Sequence, residues 1–147
     1  MTKTSLFLLC LSLFVQGGVC KKKKQRYANN AADLAMDHLA ALTACDVDAM
    51  VDLRCSDFTL YLPIAEPRNV GLVDAEQGWI QYCNTLAGTT WEVQYLNDFG
   101  DSVVVGWQIT GPLIEPYVGH DVFFSKGDKI AAQVTTFDFA ELTFVTN

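Results

Sequence analysis

An aspartate inside an apolar run is the first residue in this chain whose setting suggests chemistry. Asp121 lies within YVGHDVFFSKGDKIAAQVTTFDF, residues 117–139, where Val118, Phe123, Phe124, Ile130, Ala132, Val134, Phe137 and Phe139 form two strand-type runs. A carboxylate there either turns to solvent or is buried, and burial raises its pKa toward that of a proton donor or general base. Asp121 alternates in step with Phe123 and out of step with Phe124. If Phe123 faces the interior, Asp121 does too; if Phe124 does, Asp121 is exposed.

His38 is the second such residue. In NNAADLAMDHLAALTA, residues 29–44, it shares one side of a helical pattern with Leu34, Ala41 and Cys45. An imidazole there either donates or accepts a proton in a pocket, or is satisfied by one hydrogen bond and does no chemistry. Neither HExxH nor any other metal spacing surrounds it, and the sequence calls for no metal and no cofactor. Gly-rich phosphate loops, nucleophile elbows and recognisable Cys–His pairs are absent from the sequence.

Other side chains are candidates for lining. Thr135 and Phe137 share a parity with Gln133, and Trp79 and Trp107 suit a wall or core. Tyr61 is out of step with Leu60 and Leu62; it either packs under the helices or serves the site. His120 has the opposite parity to Asp121 and is expected to face outward or toward a second subunit.

The elements that must position these residues follow from periodicity and punctuation. Asn29 or Asn30 caps the first helix, with Asp33 in its first turns. Asp46 caps a second, DVDAMVDLRC, in which Val47, Met50, Val51 and Arg54 recur at helical spacing. Phe58–Leu62 is a strand stopped by Pro63, and a loop follows through Gly71. Asp74 caps a third helix with a Trp79, Ile80, Cys83 and Leu86 stripe, ended by Gly88. Strands are predicted over 89–96 and 102–110, with a turn between them at 97–101. The 117–139 hairpin then turns on Ser125-Lys126-Gly127-Asp128-Lys129. Three helices with an early strand, then an antiparallel meander, give an α+β class with helices on one face. A curved sheet closed by three helices leaves a cone whose mouth suits a small molecule.

Composition narrows the function classes. Beyond residue 26 only Arg54, Arg68, Lys126 and Lys129 face all 17 acids, a net charge of −13 that repels nucleic acid and anionic lipid. Lys3 leads into LFLLCLSLFV and then QGGVC, the layout of a secretory signal and too short an apolar run for a membrane span. The expected organisation is a leader over 1–20, cut near Gly18 or Cys20, a basic flexible tail over 21–28, and one domain over 29–147. Secretion would leave Cys45, Cys55 and Cys83, an odd number, so at least one thiol is free or paired between chains. A Cys45–Cys55 bridge is one arrangement.

Four stretches in order resemble the NTF2-like superfamily, in its SnoaL-like and ketosteroid-isomerase-like branch. They are ALTACDVDAMVDLRCSDFTLYLP (41–63), the lead into the helix over 71–82, DSVVVGW (101–107) and GHDVFFSKGDKI (119–130). The resemblance covers about Asn30 to Phe139. It implies a cone-shaped fold of three N-terminal helices on a curved, mixed but mainly antiparallel sheet, often dimeric, with enzymes and non-catalytic binders among its members. Asp121 resembles the family's oxyanion-hole aspartate, and His38 falls where the isomerase has its oxyanion-hole tyrosine. The general-base aspartate before the strand-ending Pro is replaced by Leu62, which counts against steroid isomerase activity. An epoxide-hydrolase site needs a set of two aspartates and an arginine; Arg54 is expected on a helix and Arg68 in a loop, outside the central strands, which counts against that activity. The expected pocket holds Asp121 facing His38, lined by Leu62, Tyr61, Trp79 and Trp107, with Phe123, Thr135 and Phe137 behind. The expected role is acid/base chemistry on a hydrophobic polyketide- or terpenoid-like molecule; the alternatives are a non-catalytic binder and a structural dimer with a filled cone.

Overall fold

A computed structural model describes residues 30–63 and 67–146. The expected leader and basic tail lie outside the described residues. Helix α1 spans Ala31–Ala44, and Asn30 caps it by accepting a hydrogen bond from the Asp33 N–H at 2.8 Å. Leu34, Ala35, His38, Leu39, Ala41 and Leu42 form its buried face. Each leucine buried there contributes about 1.5–3 kcal/mol. Helix α2 spans Val47–Asp52 and is capped by Asp46, which accepts from the Ala49 N–H at 2.9 Å.

The second helix stops sooner than its periodicity predicts. Strand β1 begins at Arg54 and runs to Leu62, so Arg54 is in the sheet and not on the helix. The Ile130 N–H takes the Leu53 carbonyl at 2.8 Å, and Arg54 pairs with Ile130 in register. A distant strand therefore claims the backbone that a continued helix would have used. The predicted loop also differs. Arg68–Gly71 is strand β2, antiparallel to β1, and Arg68 pairs with Leu62.

Helix α3 spans Leu72–Leu86 with Gly71, not Asp74, as its N-cap, and that cap makes no side-chain bond. Its buried face is Ala75, Trp79, Tyr82 and Leu86, so Tyr82 replaces Ile80 and Cys83 in the expected stripe. The remaining strands are β3 (Thr90–Asp98), β4 (Ser102–Gly111), β5 (Ile114–Lys126) and β6 (Lys129–Thr135). Strand β6 ends four residues before the predicted Phe139, and Phe139–Glu141 forms a 3-10 turn.

The six strands lie in the order β2-β1-β6-β5-β4-β3. Every neighbouring pair is antiparallel except β1 with β6. That parallel pair sets the first strand beside the last, which brings Arg54 and Phe58 alongside β6. Helix α1 crosses β3 to β6, and α3 covers β1 and β2. The core between helices and sheet includes Leu34, Met50, Phe58, Leu86, Trp107 and Phe123. Among the described residues no helix is long and apolar enough to cross a membrane. Cys55 is disulfide-bonded and Cys45 is a free thiol, so the Cys45–Cys55 bridge is not formed.

Candidate active site

Strand alternation decides the orientation of Asp121. Val103, Val105, Trp107 and Ile109 of β4 are buried on the helix side, and β5 pairs Val105 with Asp121 and Val103 with Phe123. Asp121 therefore faces inward with Phe123 and is 1% exposed, while His120 points out. Thr135 of β6 stands directly opposite Asp121, and Gln133 stands opposite Phe123. Trp107 stands opposite Gly119, two residues along from Asp121 on the same face.

These positions give the carboxylate a set of fixed donors. Trp107 Nε1 donates to Asp121 Oδ1 at 3.0 Å, and Gln133 Nε2 donates to Oδ2 at 2.7 Å. The Thr135 hydroxyl is a third partner. Arg54 Nη2 donates to Gln133 Oε1 at 2.8 Å and to His38 Nδ1 at 3.1 Å, while Nη1 donates to the Met50 carbonyl. The Gln133 amide can take only one orientation, because a guanidinium cannot accept and an ionised carboxylate cannot donate. His38 and Asp121 are thus joined through Arg54 and Gln133 and not by a direct bond.

Aromatic rings enclose the chain. The Arg54 guanidinium carbon lies 4.8 Å from the Phe58 ring centre and 4.1 Å from that of Trp79. His38 meets Phe123 edge-on at 5.4 Å and Trp79 at 6.1 Å. Among the described residues, Arg54 Nε is the buried side-chain polar atom without a partner.

Burial shifts all three titrating groups. The imidazole of His38 is held well below its usual range, first by burial and then by the Arg54 cation. Burial brings Arg54 down to about 9, opposed by Asp121. Burial also lifts Asp121 from 3.8 to about 6, against the hydrogen bonds of Thr135, Trp107 and Gln133 and the charge of Arg54. A carboxyl raised in the folded state contributes stability at low pH that is lost as pH rises through its folded pKa. The stability difference between wild type and Asp121→Asn is therefore expected to grow by about 2 kcal/mol in favour of wild type as pH falls from 6 to 3.8, read by urea unfolding across that range.

The other expected lining residues divide. Trp79, Trp107, Phe123 and Thr135 are buried on the inner side, and Leu62 is half-buried against the core. Tyr61 alternates with Leu60 and Leu62 and so takes the other side of β1; its place in the pocket is corrected. Phe137 lies beyond β6 in an aromatic group, 5.8 Å from Trp91, 6.0 Å from Tyr117 and 6.3 Å from Trp107. Arg54 is the residue that helical spacing hid. The pairing of β1 with β6 is irregular between Arg54 and Thr59, and Arg54 and Cys55 are both buried, so plain alternation over 54–62 would not have revealed it. The expected placement of Arg54 outside the central strands is corrected, since it is buried on β1 beside β6; Arg68 is exposed, and among the described residues the bonds from Arg54 lead to one aspartate, Asp121.

Trp107 is itself tightly held. A Cβ on Gly119 would lie 2.4 Å from Trp107 Cη2 and 2.7 Å from Thr136 Oγ1. Gly119→Ala is expected to push the indole off Asp121 and cost about 1–3 kcal/mol. Denaturant unfolding reads the loss, and tryptophan fluorescence reads the displacement.

Three helices on one face of this mixed, curved sheet define the NTF2-like fold, shared with ketosteroid-isomerase-like and SnoaL-like proteins. Compared by sequence, the chain matches no protein-family model and no curated protein. Solved structures carry the likeness. An NTF2-like protein of unknown function from Cytophaga hutchinsonii superposes with a TM-score of 0.60 at 16% identity, covering 79% of this chain and 95% of that one. A protein from Sinorhizobium meliloti, provisionally named a polyketide cyclase, gives 0.60 at 18% identity over 71% and 94% of the two chains. A hypothetical protein of ketosteroid isomerase-like fold from Catenulispora acidiphila, in complex with trimethylamine, gives 0.61 at 14% identity over 75% and 88%.

Proposed function

We propose that the protein is a small-molecule enzyme of isomerase, cyclase or dehydratase type, acting on an apolar polyketide- or terpenoid-like substrate. Asp121 removes a proton from a carbon beside a carbonyl and returns it at another position. His38 donates a hydrogen bond to the enolate oxygen that forms between the two transfers. The observation that carries this reading is a fully buried carboxyl whose pKa of about 6 makes both protonation states accessible near neutrality. Its three donors still leave room on a carboxylate, which offers about four lone-pair sites. The fold it shares with a provisionally named polyketide cyclase agrees with this chemistry.

The apolar run at Leu6–Val15 supports secretion, and Val118, 64% exposed on the outer face of the sheet, supports a homodimer. A second reading, a non-catalytic binder of an apolar molecule, is favoured by Leu62, which leaves the site with one carboxylate.

Deuterium uptake at the α-carbon of β-tetralone, followed by mass spectrometry, separates the two. The enzyme accelerates uptake over buffer and loses that acceleration in Asp121→Asn. Saturable binding with no acceleration identifies the binder and removes the catalytic reading.

A further inference from the structure

We propose that Arg54 is a positioning residue that fixes His38 as a neutral imidazole carrying its proton on Nε2, making His38 a hydrogen-bond donor and not a proton acceptor. The clause about what His38 donates to rests on the function proposed above; the tautomer does not.

The argument starts from the donor inventory. A guanidinium has only donors, so the Arg54 Nη2–His38 Nδ1 contact at 3.1 Å requires a lone pair on Nδ1. A neutral imidazole with that lone pair holds its proton on Nε2. An imidazolium would set N–H against N–H and a positive charge against Arg54 in a buried place.

Arg54 cannot easily turn away to relieve such a clash. Its guanidinium is held by the Met50 carbonyl, by Gln133 Oε1 and against the Phe58 and Trp79 rings. The charged groups around His38 are Arg54 of β1 and, beyond Gln133, Asp121 of β5; Trp79 of α3 and Phe123 of β5 present rings. Because Nδ1 is occupied, anything His38 does for a ligand it does through Nε2. This divides the labour in the site: Asp121 moves the proton and His38 stabilises charge on oxygen.

The chain has two histidines, His38 and the exposed His120, so the test is spectrally simple. Long-range proton–nitrogen correlation NMR is recorded on the ligand-free protein, tag-free and uniformly nitrogen-15 labelled, from about pH 5 to about pH 8. His120→Gln assigns the two rings. The expected result is a pyridine-type Nδ1 and a pyrrole-type Nε2 for His38 throughout, with both nitrogens becoming averaged in Arg54→Met. A proton on Nδ1 in wild type, an imidazolium in that range, or an unchanged pure tautomer in a folded Arg54→Met overturns the proposal. Where Arg54→Met does not fold, the wild-type spectrum decides alone. Absence of turnover with every ketone tried would remove the catalytic reading and leave this result standing.

Discussion

Arg54→Met is expected to lower the unfolding free energy by about 3–5 kcal/mol, because it removes the cation from a buried polar chain and leaves the anion in place. Methionine keeps a flexible apolar stem against Phe58 and Trp79, so lost packing is the smaller part. The larger part is electrostatic. Gln133 Oε1 and His38 Nδ1 lose their donor, and Asp121 loses the charge that opposes its protonation. The Asp121 pKa is then expected to rise further. Arg54→Met with Asp121→Leu should recover part of the loss, since removing both ends of a buried pair costs less than removing one. Urea unfolding of the wild type, both single variants and the double variant gives the coupling. A single-variant cost below about 1 kcal/mol would show that the chain of bonds contributes little.

Asp121→Asn is expected to reduce catalysed deuterium exchange by about 10²–10⁴-fold, the range for removing a general acid or base. The amide cannot take up a proton from carbon. It also disturbs the bonds around it, because polarity runs one way from Arg54 through Gln133 to Asp121. If the new oxygen accepts from Trp107, the new NH₂ faces the Gln133 NH₂. Flipping Gln133 relieves that clash and sets its NH₂ against Arg54 instead. Near-UV circular dichroism must therefore confirm folding before rates are compared. A folded Asp121→Asn that keeps the wild-type exchange rate would remove Asp121 from the chemistry. His38→Gln should lose less, because glutamine can still donate to oxygen.

Much of the frame was legible because its determinants are local. Asn30 and Asp46 cap helices through their own side chains, Gly127 takes φ +68 in the last hairpin turn, and Val103–Ile109 alternates because successive strand residues face opposite sides. Asp121 and His38 could be singled out because each is polar in an apolar pattern. Residues around them were misplaced where local signals were neutral. Val47, Met50, Val51 and Arg54 do recur at helical spacing, yet the helix ends at Asp52 because β6 pairs with the backbone from Leu53 onward. Phe137 reads as strand, but pairing between β5 and β6 stops at Thr135.

The sequence by itself determined the α+β class, the inward stripe of α1 and the two candidate residues, all through periodicities that neighbouring residues impose on one another. Only the tertiary structure decided that Phe123 and not Phe124 faces the core, and so that Asp121 is buried. It also decided that Arg54 and Gln133 stand between Asp121 and His38. Parallel pairing of β1 with β6 creates that contact between residues far apart in the chain. The separation of His38 from Asp121 follows from it, because a buried cation and a buried anion are stabilised there by a polar chain that no local pattern encodes.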